Sequence, residues 1–211
     1  MRGMAVYAEL RRLGKPIFTT QEAALRTGVS VSSATQILTR LRDADLAYRL
    51  LRGLWTLEWT IDPLILPEYL TVPFPAYISF QSALFFHGMI GQIPQVFFVA
   101  SLGPTRRVNT SVGTYSIHRL APRFFGGYRT APESGIHLAV PEKALLDTLY
   151  LASARSRMFS SLPELRVGRS FDATEARRWM DRIASPLRRT MVYRRLLELL
   201  GRRVGRFSNT T

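Results

Sequence analysis

The stretch "TTQEAALRTGVSVSSATQILTRLRDADLAYRLLRGLWTLEW", residues 19–59, decides the fold of the N-terminal part of the chain. Thr19 followed by Glu22 is a capping-box pattern, so a helix is expected to begin there, to bury Ala23, Ala24 and Leu25, and to stop at Gly28. Ser30 is a good N-cap for a further helix, in which Val31, Ala34, Ile37, Leu38 and Leu41 follow the spacing of one buried face. The opposite face then carries Ser32, Ser33, Thr35, Gln36, Thr39, Arg40 and Asp43. Hydroxyls, one amide and an arginine are side chains that can approach base edges and phosphates.

Beyond this helix, "LAYRLLRGLWTLEW" has strand composition on both sides of Arg52-Gly53, which predicts a β-hairpin. Before it, Met4 to Leu13 reads as a helix with Ala5, Ala8 and Leu13 among its apolar positions, stopped by Gly14, and "PIF" reads as a short strand or extended link. The order helix, strand, helix, turn, helix, hairpin is that of a winged helix-turn-helix. A three-helix unit with a hairpin can also serve as a platform for docking another protein, and that reading stands beside the first.

Composition bounds what such a chain can do. At 211 residues with 46% hydrophobic content it can bury one large core or two small ones. The formal net charge of +14 and pI near 11.2 favour an anionic partner: nucleic acid, an acidic membrane surface or an acidic protein. Lys15 and Lys143 are the only lysines, so the charge is almost wholly arginine, the residue suited to bidentate phosphate and guanine contacts. Without cysteine there can be no disulfide, thiolate metal site or cysteine nucleophile. No apolar run approaches the roughly 18 residues needed to span a bilayer, and a soluble, cytoplasmic protein is expected.

The segment "IDPLILPEYLTVPFPAY" carries four of the twelve prolines and reads as a linker, which divides the chain into residues 1–61, a Pro-rich linker at 62–77, and residues 78–211. Basic residues outnumber acidic ones by 9 to 7 over residues 1–70, 6 to 3 over 71–150, and 14 to 5 over 151–211. In the second section, Ser79 is expected to cap a short apolar helix stopped by Gly88, and "QVFFVAS" to form a central strand. A hairpin turning around Ser111 to Thr114 should place Tyr115, Ile117 and Arg119 on one face of its second strand. A strand from Ile136 to Val140 should lead into a helix opened by Pro141, with Leu145, Leu149 and Ala152 buried. Two helices separated near Ser185-Pro186 should follow, their apolar positions being Trp179, Ile183, Val192, Leu196, Leu197 and Leu200 and their arginines elsewhere, before a frayed tail at residues 201–211. The fold class is α+β: an N-terminal winged helix-turn-helix, then a mixed α+β domain ending in basic helices.

His87, His118 and His137 are expected to be hydrogen-bonded structural residues, since no ligand pair accompanies them in sequence. Glu142, Lys143 and Asp147 form a two-acid, one-lysine combination of the kind nucleases use, but charge balance at a helix end explains them as well. No phosphate-binding glycine loop, nucleophile elbow or metal-ligand motif is present, so no enzyme activity, cofactor or metal is expected.

"YISFQSALFFHGMIGQIP", "VFFVAS", "YSIHRL" and "IHLAVPEKALLDTLYL" occur in an order that resembles the AbiEi family, the antitoxin and transcriptional-regulator half of type IV toxin-antitoxin systems. The resemblance covers roughly residues 4–155. It implies an N-terminal winged helix that binds operator DNA upstream of its own gene, and a C-terminal domain needed for antitoxin action. It further implies a nucleotidyltransferase-like toxin as functional partner, without a stable complex. The DNA-reading helix falls by position on Val31 to Ala44 and the wing on Leu46 to Trp59. On this reading Ser32, Ser33, Thr35 and Gln36 read bases, Arg40, Arg42 and Arg52 hold phosphates or the groove beside them, and Thr39 completes the DNA-binding set. The rivals are an interaction protein with secondary DNA binding and, more remotely, a metal-dependent nuclease using Glu142 or Asp147.

Overall fold

The computed structural model describes residues 2–152, 164–168 and 171–207. It is a mixed α+β structure that divides into two compact units, residues 1–63 with 109–113 and residues 64–108 with 114–211.

The first unit follows the predicted order. Helix α1 (Arg2–Arg11) starts before the expected Met4, and Ala5 and Ala8 face solvent; the packed side is Val6, Tyr7, Leu10 and Leu13. Strand β1 is Phe18–Thr19 and helix α2 is Thr20–Thr27, with both bonds of the Thr19/Glu22 capping box formed and Gly28 left-handed at the C-cap. Leu25, expected inside, is 77% exposed, because Ala23 and Ala24 complete the buried side of this two-turn helix. Helix α3 (Val31–Asp43) is capped by the Ser30 side chain, which accepts from Ser33 N–H. Strands β2 (Tyr48–Leu51) and β3 (Leu54–Thr56) pair antiparallel through the Arg52-Gly53 turn, with a bulge between Arg49 and Leu51, and β1 pairs with β3. Leu10, Phe18, Ala23, Leu38, Leu41, Ala47 and Trp55 form the core.

Residues 62–77, expected to be a linker, are largely folded. A 3-10 turn (Pro63–Ile65), helix α4 (Leu66–Thr71) and the start of strand β4 (Ala76–Ile78) occupy them, and Leu66 and Tyr77 are fully buried. Proline lacks an amide that a first helical turn would leave unbonded anyway, so Pro63 and Pro67 open helical turns instead of preventing them.

The second unit is built on a six-stranded sheet of order β6-β7-β5-β4-β9-β8. Its strands are β4, β5 (Phe97–Ser101), β6 (Arg106–Thr110), β7 (Gly113–Arg119), β8 (Tyr128–Thr130) and β9 (His137–Ala139). The pairs β4–β9 and β5–β7 are parallel, whereas β4–β5 and β8–β9 are antiparallel. Helix α5 (Phe80–Phe86) packs on α6 (Pro141–Ala152), which in turn carries α7 (Ala173–Asp181) and α8 (Pro186–Phe207). The α8 backbone continues through residues 201–207, where a frayed tail was expected; residues 208–211 lie outside the described residues. Trp179, Ile183, Val192 and Leu196 are buried, but Leu197 is half exposed.

Helix α6 departs most from expectation. Every residue from Glu142 to Tyr150 is buried, so Lys143 and Asp147, one turn apart, form an ion pair at zero exposure. Asp147 also accepts from Tyr77 OH (3.0 Å) and Ser79 Oγ (2.7 Å), and Lys143 Nζ donates to Tyr77 OH (3.0 Å) while lying 4.0 Å from the Phe124 ring centre. Ser79 therefore spends its hydroxyl on Asp147 and makes no side-chain cap for α5. Burial pushes the Lys143 ammonium down and the Asp147 carboxyl up, each opposed by its partner. Gly127, at φ +74, seals the site: a Cβ there would lie 2.8 Å from Lys143 Cγ and from Trp179 Cζ2. Glu142, also buried, accepts from the N–H of Asp172 (2.8 Å), the N-cap of α7.

Removing one charge of this pair strands the other. Lys143→Met or Asp147→Leu alone should lower unfolding free energy by about 3–5 kcal/mol, and the double replacement should recover much of that, as urea denaturation will show. Acid gives a second test. His118, buried between Phe80 and Phe98 and bonded to Ser116, is held by burial at a pKa of about 4. The unfolded chain takes up that proton near pH 6.5, so the contribution is complete above 6.5 and declines as pH falls toward 4, by up to roughly 3 kcal/mol. His118→Phe should flatten that part of the stability profile.

Candidate nucleic-acid interface

The surface of interest is the outer side of α3 and the adjoining hairpin, both in the first unit. Ala34, Leu38 and Leu41 point into the core and set the helix's orientation. At about 100° per residue, Ser32, Gln36, Thr39 and Asp43 lie opposite them, with Ser33 and Arg40 on one flank and Thr35 on the other. All of these are exposed except Thr39, which is half-buried.

Their hydrogen bonds separate them further. Among the described residues, Ser32, Gln36 and Arg40 have no side-chain partner and keep their full capacity for a ligand. Ser33 Oγ accepts from Ser30 Oγ at 2.9 Å and retains its own proton. Thr35 donates to Val31 O and Thr39 to Thr35 O, both at 2.8 Å, so their hydroxyl protons are used within the helix. Arg42 sits at the edge of the face, and its guanidinium is engaged by Asp43 at 2.8 Å.

Arg52 is exposed at the hairpin turn, where Gly53 (φ 81) supplies the left-handed residue. The turn is braced from two sides: Thr20 N–H donates to Gly53 O (2.9 Å), and the buried Trp55 indole N–H donates to Thr20 Oγ1 (3.0 Å). The cationic tip is thereby held against the first residue of α2. No local spacing foretells this brace, which joins residues 35 apart.

Two further exposed residues were assigned otherwise or passed over. Val31, expected in the core, is 53% exposed at the first turn of α3, ahead of the packed turns. Arg49 projects from β2 with its guanidinium 6.0 Å from the Trp55 ring centre.

Of the residues weighed for a nuclease, the second unit brings two together, but away from any surface. Lys143 and Asp147 are sealed from water, and Glu142 is bonded to the Asp172 backbone. Helix-end charge balance does not explain the pair; it is a buried ion pair between the first and second turns of a covered helix. The three histidines are hydrogen-bonded: His87 to Ala139 O (2.7 Å), His118 to Ser116 (2.9 Å), and His137 to Thr130 (2.7 Å) and Glu68 (2.9 Å). The Glu68 carboxylate arrives from α4, remote in sequence, which is why no close acid was foreseen. Among the described residues no group of three His, Cys, Asp or Glu side chains could hold a metal ion, and no helix is long and apolar enough to cross a membrane.

The first unit is thus a short helical unit with a hairpin that presents one polar helix face. Residues 6–57, almost all of that unit, match the family described as transcriptional regulator, AbiEi antitoxin, and this bears out the resemblance over the matched segment. The matched family is one of regulators, not enzymes. No curated protein matches the chain.

The Ser30 cap underlies this face, since its side chain satisfies one of the orphan amides of α3, that of Ser33. Ser30→Ala should cost about 1 kcal/mol of unfolding free energy, and amide exchange should accelerate first at Ser32 and Ser33.

Proposed function

We propose that the first unit is a winged helix that binds duplex DNA, with α3 in the major groove and the β2–β3 hairpin as the wing. The observation that carries this reading is the uncommitted ridge Ser32, Gln36, Arg40 on a capped helix, lying in a segment that matches transcriptional regulators. Gln36 can pair bidentately with adenine, and Arg40 can reach guanine or a phosphate. Arg52 meets the backbone beside the groove. Arg42, already paired with Asp43, contributes less than Arg40.

In the reading we favour, the protein works in the cytoplasm as a sequence-specific repressor of its own operon and as the antitoxin of a type IV toxin-antitoxin system. Its counterpart is a nucleotidyltransferase-like toxin that it opposes without a stable complex. A second reading, a protein-docking role for the second unit, draws on exposed apolar residues of α8: Leu187 is 74% and Leu197 48% exposed.

The test is titration of the DNA upstream of the gene and of a scrambled duplex across a salt series. Gln36→Ala should cost about 1–3 kcal/mol on the specific fragment and little on the scrambled one. Equal losses on both would remove Gln36 from base reading. Arg40→Ala and Arg52→Ala should weaken binding to both and each lower the salt slope by about one counterion. A specific fragment bound no better than the scrambled one across the series would move the docking role ahead.

A further inference from the structure

The outer side of α3 carries two parallel rows, each spaced by four residues. One is the polar row Ser32, Gln36, Arg40; the other is Val31, Thr35, Thr39. The second row contains two threonines, but it is not a row of hydroxyl donors. Thr35 Oγ1 is turned onto Val31 O and Thr39 Oγ1 onto Thr35 O, each at 2.8 Å. With the hydroxyl folded onto the helix's own backbone, the group each threonine offers a neighbouring surface is its methyl. Val31, 53% exposed at the head of the row, adds two more. The row is therefore an apolar strip alongside a strip of free hydrogen-bonding groups.

We infer that this strip reads thymine methyl groups: the duplex preferred by α3 carries thymines next to the bases met by Gln36 and Arg40, recognised through their C5 methyls. This rests on the winged-helix reading proposed above and deepens it. In the major groove the thymine methyl is the one apolar base substituent of ordinary DNA, and threonine and aliphatic side chains are its natural contacts. Three methyl-bearing residues on successive turns span about 12 Å along the helix axis, enough to meet more than one base step. An apolar strip facing phosphates, by contrast, would desolvate them without return.

The experiment uses the full-length chain. A tight-binding duplex is selected from a random pool, then remade with deoxyuridine in place of thymidine, which removes the methyl and leaves every hydrogen-bonding edge unchanged. Binding of the uracil duplex should fall about three- to fivefold for each contacted methyl, the worth of burying one such group. Restoring thymine one position at a time should locate the contacts. Thr35→Ser keeps the hydroxyl and its backbone bond but removes the methyl. It should bind the thymine duplex more weakly while leaving the uracil duplex unchanged, and Val31→Ala should behave alike.

A selected duplex bound equally well with uracil would overturn methyl reading while leaving DNA recognition by α3 intact. Failure of any duplex to emerge from the pool would instead remove the winged-helix reading, and this inference with it. Circular dichroism and melting of Thr35→Ser should match the parent. A loss of affinity for both duplexes by the same factor would assign Thr35 a purely structural part.

Discussion

The buried hydrogen bond from the Trp55 indole to Thr20 Oγ1 ties the hairpin of the first unit to the start of α2. Trp55 lies in the core with Phe18, its partner across the sheet, so the hairpin is seated by apolar burial. Burial alone would still allow the strands to slide. The indole N–H must find an acceptor once buried, and Thr20 supplies the one that places β3 against the start of α2. Because the Thr20 amide also closes on Gly53, the hairpin tip takes its position from α2. The capping box just before Thr20 then defines where α2 itself begins.

In the second unit the comparable constraint is a charge with no access to water. A helix covered on every side leaves Lys143 and Asp147 no solvent, so they must satisfy each other, and Tyr77 and Ser79 take up the remaining lone pairs of the carboxylate. Such an arrangement ties β4, the entrance to α5, and α6 into one geometry, since moving any of them would expose an unpaired ion to an apolar surrounding. The aromatic faces of Phe124 and Trp179 complete the cage around the ammonium. Phe80, buried at φ +53 directly after Ser79, shows that backbone strain is tolerated to hold this corner.

Local signals in the sequence were read well because their causes are local. The Thr19/Glu22 box, the Ser30 cap, the Gly28 stop and the Arg52-Gly53 turn depend on residues within four positions of one another. The apolar faces were less legible. Val31 and Leu25 satisfy helical spacing but are exposed, because periodicity assigns a direction and not a neighbour to pack on. Pro63 and Pro67 read as helix breakers in the sequence, yet their effect depends on whether they fall inside a helix or at its first turn. The Lys143 cage was hidden for another reason: its members come from β4, the 3-10 turn at Pro122–Phe124, α6 and α7, and no spacing in a single stretch reveals them. The polar outer face of α3 was legible as a set of exposed positions; which of its side chains have hydrogen-bonding capacity to spare depends on bonds that only coordinates supply.

The sealing of Lys143 leaves the chain chemically simple at its surface. With two lysines in all, and one of them at zero exposure, Lys15 is the one lysine ammonium that solvent can reach. Amine-directed chemistry on lysine side chains, whether a fluorophore ester, a cross-linker or an enzymatic acyl or ubiquitin transfer, therefore converges on one address in the folded protein. That address bonds Glu22 of the α2 capping box, so a label placed there would report on the helix start next to the brace that holds the hairpin.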